Sequence, residues 1–175
     1  MLDFGKTLIV AAHPDDEVLG CGGLIAKLIN QGEQVRVVFI AEGSSCRHNT
    51  LTDEVQEEIN FRNQCGIKAM KSLGVNDYCF YNLPCGRLDR EPLIEIAKTI
   101  EKEVLDYEPT TVLTHSRNDV HNDHKVVFRA TVQATRPVGK IVKNLLSFEI
   151  LSSSEWSYTE SFKPNVFVNI TSTID

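Results

Sequence analysis

The chain has 175 residues, of which 42% are hydrophobic and 24% charged, a balance typical of a single globular domain. Its formal net charge of −6 argues against broad electrostatic binding to nucleic acid or to an anionic membrane. The sequence has neither a bilayer-spanning apolar run nor the layout of a signal peptide. We therefore expect one cytoplasmic domain over residues 1–175, without a nucleic-acid partner.

Strand and helix patterns alternate along the chain. We predict short apolar strands over 7–12, 34–41, 77–81, 111–114, 145–151 and 166–170. We predict four helices. The first covers 18–30, the second follows a loop at 42–50 and runs to about 73, the third lies around 93–104, and the fourth covers 124–135 with Asn122 as its N-cap. In the long second helix one apolar stripe is expected from Phe61, Cys65, Ala69, Met70 and Leu73. The alternation predicts a Rossmann-like, doubly wound α/β fold, with a mainly parallel sheet and helices on both faces.

The five cysteines do not form a recognisable pattern. They are Cys21, Cys46, Cys65, Cys79 and Cys85, and no two of them make a CxxC pair. Their odd number and spacing argue against a disulfide framework and against a thiolate zinc knot. A bound metal is therefore expected to use nitrogen and oxygen ligands.

Two polar clusters follow predicted strands. Residues 13–17 (HPDDE) come after the first strand, and residues 118–124 come after the fourth. Sheets of this class bind ligands beyond the carboxyl ends of their strands, so we expect the clusters to meet there. His13 and Asp16 can reach one ion from a tight turn, and His124 can complete a three-ligand zinc site that leaves a position for water.

Other residues of the same clusters suit the remaining steps of a metal-assisted hydrolysis. Asp15, an unligated carboxylate beside the ligands, can take the proton of the water. His121 can donate a proton to the oxyanion or to the leaving amine, with Asp123 orienting it. His48 and His115 are expected at the surface, outside the metal site.

The two clusters resemble the motifs of a known family. AAHPDDEVLGCGG at 11–23, with HNDH at 121–124, is similar to the PIG-L/LmbE-type family of zinc-dependent deacetylases. Its members remove the acetyl group from N-acetylglucosamine and related amino-sugar conjugates. The resemblance implies one Zn²⁺ per chain, with Fe²⁺ as the alternative, on His13, Asp16 and His124. It also implies the roles given above for Asp15, His121 and Asp123.

Further positions extend the resemblance or depart from it. Arg62 resembles a family arginine that holds the sugar or its phosphate. One bacterial branch of the family is found with surface-polysaccharide synthesis. This chain resembles that branch in the segments at 136–137, 152–156 and 162–165. Cys65 and Cys85 stand where many members carry a carboxylate, which implies altered substrate contacts. Members usually continue beyond the segment that ends at Asp175, so we expect a C-terminally shortened domain.

Three alternatives stay open beside amino-sugar deacetylation. The same chemistry would serve an amidase or esterase acting on another acyl group. A member of the family that no longer turns over would bind metal or sugar only. The glycines at 20–23 (GCGG) loosely resemble a phosphate-binding turn for a dinucleotide. The expected partner is a small amino-sugar or glycoconjugate substrate, and a homo-oligomer is left open.

Overall fold

A central parallel sheet organises the chain. The computed structural model describes residues 2–137, 142–158 and 160–174. Its five strands are β1 (Thr7–Ala11), β2 (Val35–Ala41), β3 (Asp77–Leu83), β4 (Thr111–His115) and β5 (Asn144–Phe148). They lie in the order β3-β2-β1-β4-β5, and every neighbouring pair is parallel. Thr7 of β1 pairs with Val35 on one side and with Thr111 on the other, so β1 is the central strand.

Four helices cover the two faces of this sheet. They are α1 (Asp16–Asn30), α2 (Asp53–Leu73), α3 (Leu93–Tyr107) and α4 (Asn122–Ala134). Ile9 of β1 packs in a core with α1 and α2, whereas its neighbours Leu8 and Val10 pack in a second core with α3 and α4. Alternate residues of a strand point to opposite faces, so β1 is buried on both. The predicted doubly wound α/β fold is confirmed. None of the described helices combines the length and the apolar character that a membrane crossing demands.

The second helix buries only the C-terminal part of the predicted stripe. Met70 is buried, and Ala69 and Leu73 pack against the same core. Phe61 is 68% exposed and Cys65 is exposed as well. Val55 and Ile59 are the buried residues nearer the start of the helix.

The predicted strand at 166–170 is wrong. This segment has no strand pairing and lies against α1 instead. The Lys27 ammonium group donates to the Asn169 carbonyl oxygen at 2.9 Å, and the Thr173 hydroxyl donates to the Gly23 carbonyl oxygen at 3.0 Å. A mostly apolar run (VFVNI) allowed a strand, but the segment packs on a helix rather than on the edge of the sheet.

The GCGG segment is helical and does not form a phosphate-binding turn. Residues 20–23 lie inside α1, where a Cβ atom on Gly20 would overlap the ring of Phe148. A Cβ on Gly23 would come 2.6 Å from Ile170. These two glycines therefore allow close packing on α1, and the dinucleotide alternative loses its structural basis.

We predict that Gly20→Ala destabilises the fold by about 1–3 kcal/mol, because the added methyl group must displace the buried Phe148 ring. Gly22→Ala is the matched control. Its Cβ would meet only Val18, at 3.6 Å, so the better helix propensity of alanine should stabilise the protein by about 0.5–1 kcal/mol. Urea unfolding of both variants measures the difference. Equal stability of the two would contradict this packing.

Candidate active site and metal centre

The turn from β1 to α1 brings the first two predicted ligands together. The backbone N–H of His13 donates to Oδ2 of Asp16 at 2.8 Å, which closes the turn. Both side chains are buried. Asp15 between them has φ 156° and ψ −26°, a conformation that residues other than glycine rarely adopt. Its N–H donates to Oε2 of the buried Glu17 at 3.0 Å, a contact that helps to hold the strained residue.

The segment after β4 supplies the other predicted residues. α4 begins at Asn122, and its N-cap is His121 rather than the predicted Asn122. Nδ1 of His121 accepts the backbone N–H of Asp123 at 3.2 Å, so an imidazole replaces the side-chain oxygen usual at this position. His124, two residues into the helix, is 3% exposed and points toward the β1–α1 turn.

The Asp16 carboxylate faces both predicted histidine ligands. Its Oδ2 lies 3.4 Å from Nδ1 of His13, and its Oδ1 lies 3.4 Å from Nε2 of His124. These separations are long for hydrogen bonds. Two donors bound to one tetrahedral zinc ion at 2.0–2.2 Å would lie about 3.4 Å apart. The donor types, and the distance of Asp16 from each histidine, are therefore those expected of ligands to one zinc ion.

Each of these histidines has a carboxylate on its far nitrogen. Nδ1 of His124 lies 3.0 Å from Oδ2 of Asp119, and the hydroxyl groups of Ser153 and Ser154 each donate to that same oxygen at 2.9 Å. Nε2 of His13 lies 2.9 Å from Oδ2 of Asp123. Metal-binding histidines are usually oriented by such carboxylates.

The role of Asp123 differs from the expected one. Its carboxylate accepts the N–H groups of Gly86 and Leu88 at 2.6 and 3.2 Å and contacts His13. Its contact with His121 is made by the backbone N–H alone. Asp123 therefore orients His13, and the predicted carboxylate pair with His121 is not among the described contacts.

These contacts favour positive charge at the centre. Burial opposes protonation of His13, but its contacts with Asp123 and Asp16 hold its pKa well above the ordinary value. Burial opposes protonation of His124 too, yet the contacts with Asp119 and Asp16 raise its pKa to about 9. A bound cation would take the place of these protons, since metal and protons compete for the same nitrogens.

His115, expected at the surface, is fully buried against this centre. It is the last residue of β4, and its ring stacks on His124 with 3.9 Å between centroids. Its Nε2 accepts the N–H of Ala12 at 2.8 Å, so that lone pair is not available to a metal. Burial lowers the pKa of His115 to about 3, which keeps the ring neutral. His48 does lie outside the centre, where it pairs with Glu58.

Arg62 contacts the predicted base directly. Its Nη2 donates to Oδ2 of Asp15 at 2.8 Å. The guanidinium group packs closely over Gly43, where a Cβ atom would come 2.5 Å from Nε. Burial, and then the charge of Asp16, raise the pKa of Asp15 against the opposing effect of Arg62. The predicted substrate-binding role of Arg62 is untested, but the structure gives it an additional one, because it fixes the Asp15 carboxylate.

Three groups of described side chains bring potential ligand atoms within 4.8 Å of one another: His13 with His121 and His124, Asp16 with His115 and His124, and His13 with Cys85 and Asp123. The predicted set of His13, Asp16 and His124 is not itself one of these groups and takes its members from the first two. Sequence reasoning did not assign Asp119, His115 or Cys85 to the metal centre. Asp119 carried a signal as a carboxylate within the polar cluster after β4, and Cys85 carried one as the replacement for a carboxylate of many family members.

The strand order gives the site its place in the fold. The chain winds outward from β1 through β2 to β3 and returns to β4 on the other side of β1. Ligands of doubly wound sheets bind at this reversal. The fold and the site together define an α/β protein with a candidate metal centre, lined by histidines and carboxylates, at its topological switch point.

The sequence model of the PIG-L family, described as GlcNAc-PI de-N-acetylase, matches residues 8–135. This range contains every predicted ligand and catalytic residue. The chain therefore belongs to the PIG-L family, and the predicted resemblance is confirmed.

Individual relatives agree with this assignment. The Escherichia coli protein described as uncharacterized deacetylase YaiS is 30% identical over 167 residues, which cover 93% of this chain and 80% of that protein. The N,N'-diacetylchitobiose deacetylase of Pyrococcus horikoshii is 25% identical with a TM-score of 0.66, covering 78% of this chain and 52% of that one. The structure of the 4-carboxy-2-hydroxymuconate hydratase GalB of Pseudomonas putida is 27% identical, with a TM-score of 0.70. The match covers 95% of this chain and 73% of that one.

We predict that protein purified without chelator contains about one metal ion per chain, and that His13→Ala or His124→Ala removes it, since each loses one of three ligands. Asp119→Ala should lower metal affinity about 10–100-fold by freeing the His124 ring. Asp89→Ala, at an exposed position, is the control. Elemental analysis and competition with a chelator measure both effects. Full metal retention by both histidine variants would refute the ligand assignment.

Proposed function

We propose that this chain is a metal-dependent deacetylase that removes the acetyl group from an N-acetyl amino sugar, with one zinc ion held by His13, Asp16 and His124. The observation that carries the proposal is the convergence of two carboxylate-backed histidines on Asp16, next to the Asp15 carboxylate that Arg62 holds. Membership of the PIG-L family, and the deacetylases among its relatives, support the reaction type.

The chain's own residues would handle the protons of the reaction. When bound, the ion supplies a Lewis acid that polarises the acetyl carbonyl and lowers the pKa of a water to about 7. Asp15 accepts the proton of the attacking water, and Arg62 keeps its carboxylate in place for this transfer. That proton then passes to the sugar nitrogen as the C–N bond breaks, so acetate and a free amine leave.

His121 is suited to donate to the oxygen of the attacked carbonyl. Its Nδ1 accepts a backbone N–H, so in the neutral ring the proton resides on Nε2. Burial, and then the nearby His124 and His13, lower the pKa of His121, which favours this neutral state. A hydrogen-bond donor directed at the developing oxyanion stabilises the transition state.

A cavity beside the centre suits the sugar. It has a volume of about 290 Å³ and lies at the carboxyl ends of β2 and β3. The loop at 42–50 contributes three of its lining residues. The hydroxyl, amide and guanidinium groups that sugars need come from Ser45, Thr50, Gln56, Asn82 and Arg87.

Acetate release from N-acetylglucosamine and from N,N'-diacetylchitobiose tests the proposal. Zinc-loaded protein should produce one free amine for each acetate. Release from simple acyl esters or amides, without any from amino sugars, would favour the amidase or esterase alternative. The hydratase among the similar structures makes hydration of an unsaturated acid a further control substrate. Metal binding without turnover of any of these would indicate an inactive member.

We predict that Asp15→Asn keeps the metal and lowers kcat about 10²–10⁴-fold, because the amide cannot accept the proton of water. His48→Ala, which removes an exposed histidine of the nearby loop, is the matched control and should keep turnover near that of the unchanged protein. Steady-state kinetics with parallel metal analysis separates the effects. Near-normal kcat in Asp15→Asn would require a different base.

Three finer features remain predictions of this proposal. Zinc is expected from the family resemblance, with iron as the alternative, because two histidines and one carboxylate suit both ions. A cytoplasmic location and a place in surface-polysaccharide synthesis are expected from the sequence alone. Metal analysis of protein purified without air tests the first, because Fe²⁺ is lost on oxidation.

A further inference from the structure

Cys85 lies against the metal centre in the loop after β3. Its side chain is 3% exposed, and its backbone N–H donates to Oε1 of the buried Glu42 at 2.8 Å. The next residue, Gly86, donates its N–H to Oδ2 of Asp123 at 2.6 Å. These two backbone contacts fix the thiol beside His13. The deacetylation described above makes no use of it.

The thiol completes a second group of potential ligands. Sγ of Cys85, a ring nitrogen of His13 and a carboxylate oxygen of Asp123 lie within 4.8 Å of one another, and all three residues are buried. Nε2 is the His13 nitrogen that faces Asp123, at 2.9 Å. The opposite nitrogen, Nδ1, faces Asp16. The two groups therefore approach His13 from opposite edges of its ring.

A second thiol stands at the outer edge of this group. Cys46 is exposed, and its Cβ lies 2.7 Å from the position that a Cβ on Gly86 would take. Burial, and then the proximity of the Cys85 thiol, raise the pKa of Cys46. An ion could reach the buried thiol from solvent along this edge.

We propose that Cys85, His13 and Asp123, with Cys46 at their outer edge, form a second metal position that takes soft divalent ions such as Cd²⁺. Thiolate is the ligand that selects soft ions, whereas the His/Asp set offers only nitrogen and oxygen. On binding, the Cys85 thiol loses its proton to solvent and its sulfur bonds the ion, and no other bond changes.

An ion at the second position prevents His13 from binding an ion together with Asp16 and His124. A neutral imidazole has one free lone pair, because its other nitrogen carries the proton. If His13 binds an ion through Nε2, its proton lies on Nδ1 and faces Asp16. His13 then cannot serve the zinc site of the proposed function, on which this part of the inference rests. A soft ion should therefore inhibit by capturing a shared ligand.

Titration of metal-free protein with Cd²⁺ tests the second position, because thiolate–cadmium bonds absorb in the ultraviolet. The unchanged protein should develop this absorbance. Cys85→Ser should lose it, and Cys46→Ser should weaken it. Cys65→Ser is the matched control, since this exposed cysteine of α2 is not among the grouped ligands. Absence of the band in the unchanged protein, or its full retention in Cys85→Ser, would overturn the proposal.

A second variant separates this inference from the proposed function. His124→Ala removes a ligand of the His/Asp set only, so it should lose zinc and keep the cadmium band. Loss of the band in His124→Ala with its fold intact would mean that cadmium enters through the His/Asp set, which would overturn the second position.

Inhibition provides an independent readout. In zinc-loaded protein, Cys85→Ser should need at least about tenfold more Cd²⁺ than the unchanged protein for half-inhibition, each measured against its own uninhibited rate. Equal sensitivity of the two would refute the competition for His13.

Discussion

The whole site depends on the contacts of one buried carboxylate, that of Asp16. It accepts the N–H of His13 to close the β1–α1 turn, and its two oxygens face ring nitrogens of His13 and His124. His13 comes from the end of the central strand and His124 from the helix after β4. Their meeting at Asp16 therefore requires β1 and β4 to be neighbours, as the strand order makes them. Burial strengthens these interactions, because few competing waters reach them.

The site has more negative than positive groups, and this imbalance defines its chemistry. Asp16 contacts both His13 and His124, whereas Asp119 contacts His124 and Asp123 contacts His13. Unpaired buried carboxylates are costly, so the site is most stable when a cation is present. Without metal the histidines carry that charge as protons, which explains their raised pKa values. The same carboxylates that orient the ligands thus also make the site favourable for a divalent ion.

Patterns repeated over many residues predicted the fold, and local patterns predicted less. Each strand of the sheet was an apolar run bounded by turn signals, so the architecture could be read from the sequence. The segment 166–170 was also a mostly apolar run, but its residues contact α1 instead of pairing with a strand. The ligand turn was predictable because His13 and Asp16 are close in sequence. The contacts of Asp119 with His124 and of His115 with Ala12 could not be predicted, because they depend on how β4 and the loop after it lie against the β1–α1 turn.

The strand order also separates the parts of the site that can vary from those that cannot. The predicted metal ligands lie in the segments that follow the central strands β1 and β4, whose residues are buried on both faces, so changes to these strands disturb both cores. The cavity proposed for the sugar is built by loops after β2 and β3, toward one side of the sheet. Such loops can lengthen or change composition with little effect on the core. A family on this scaffold can therefore diversify its substrates while its inherited catalytic apparatus stays constant, which accounts for relatives of similar shape with different named activities.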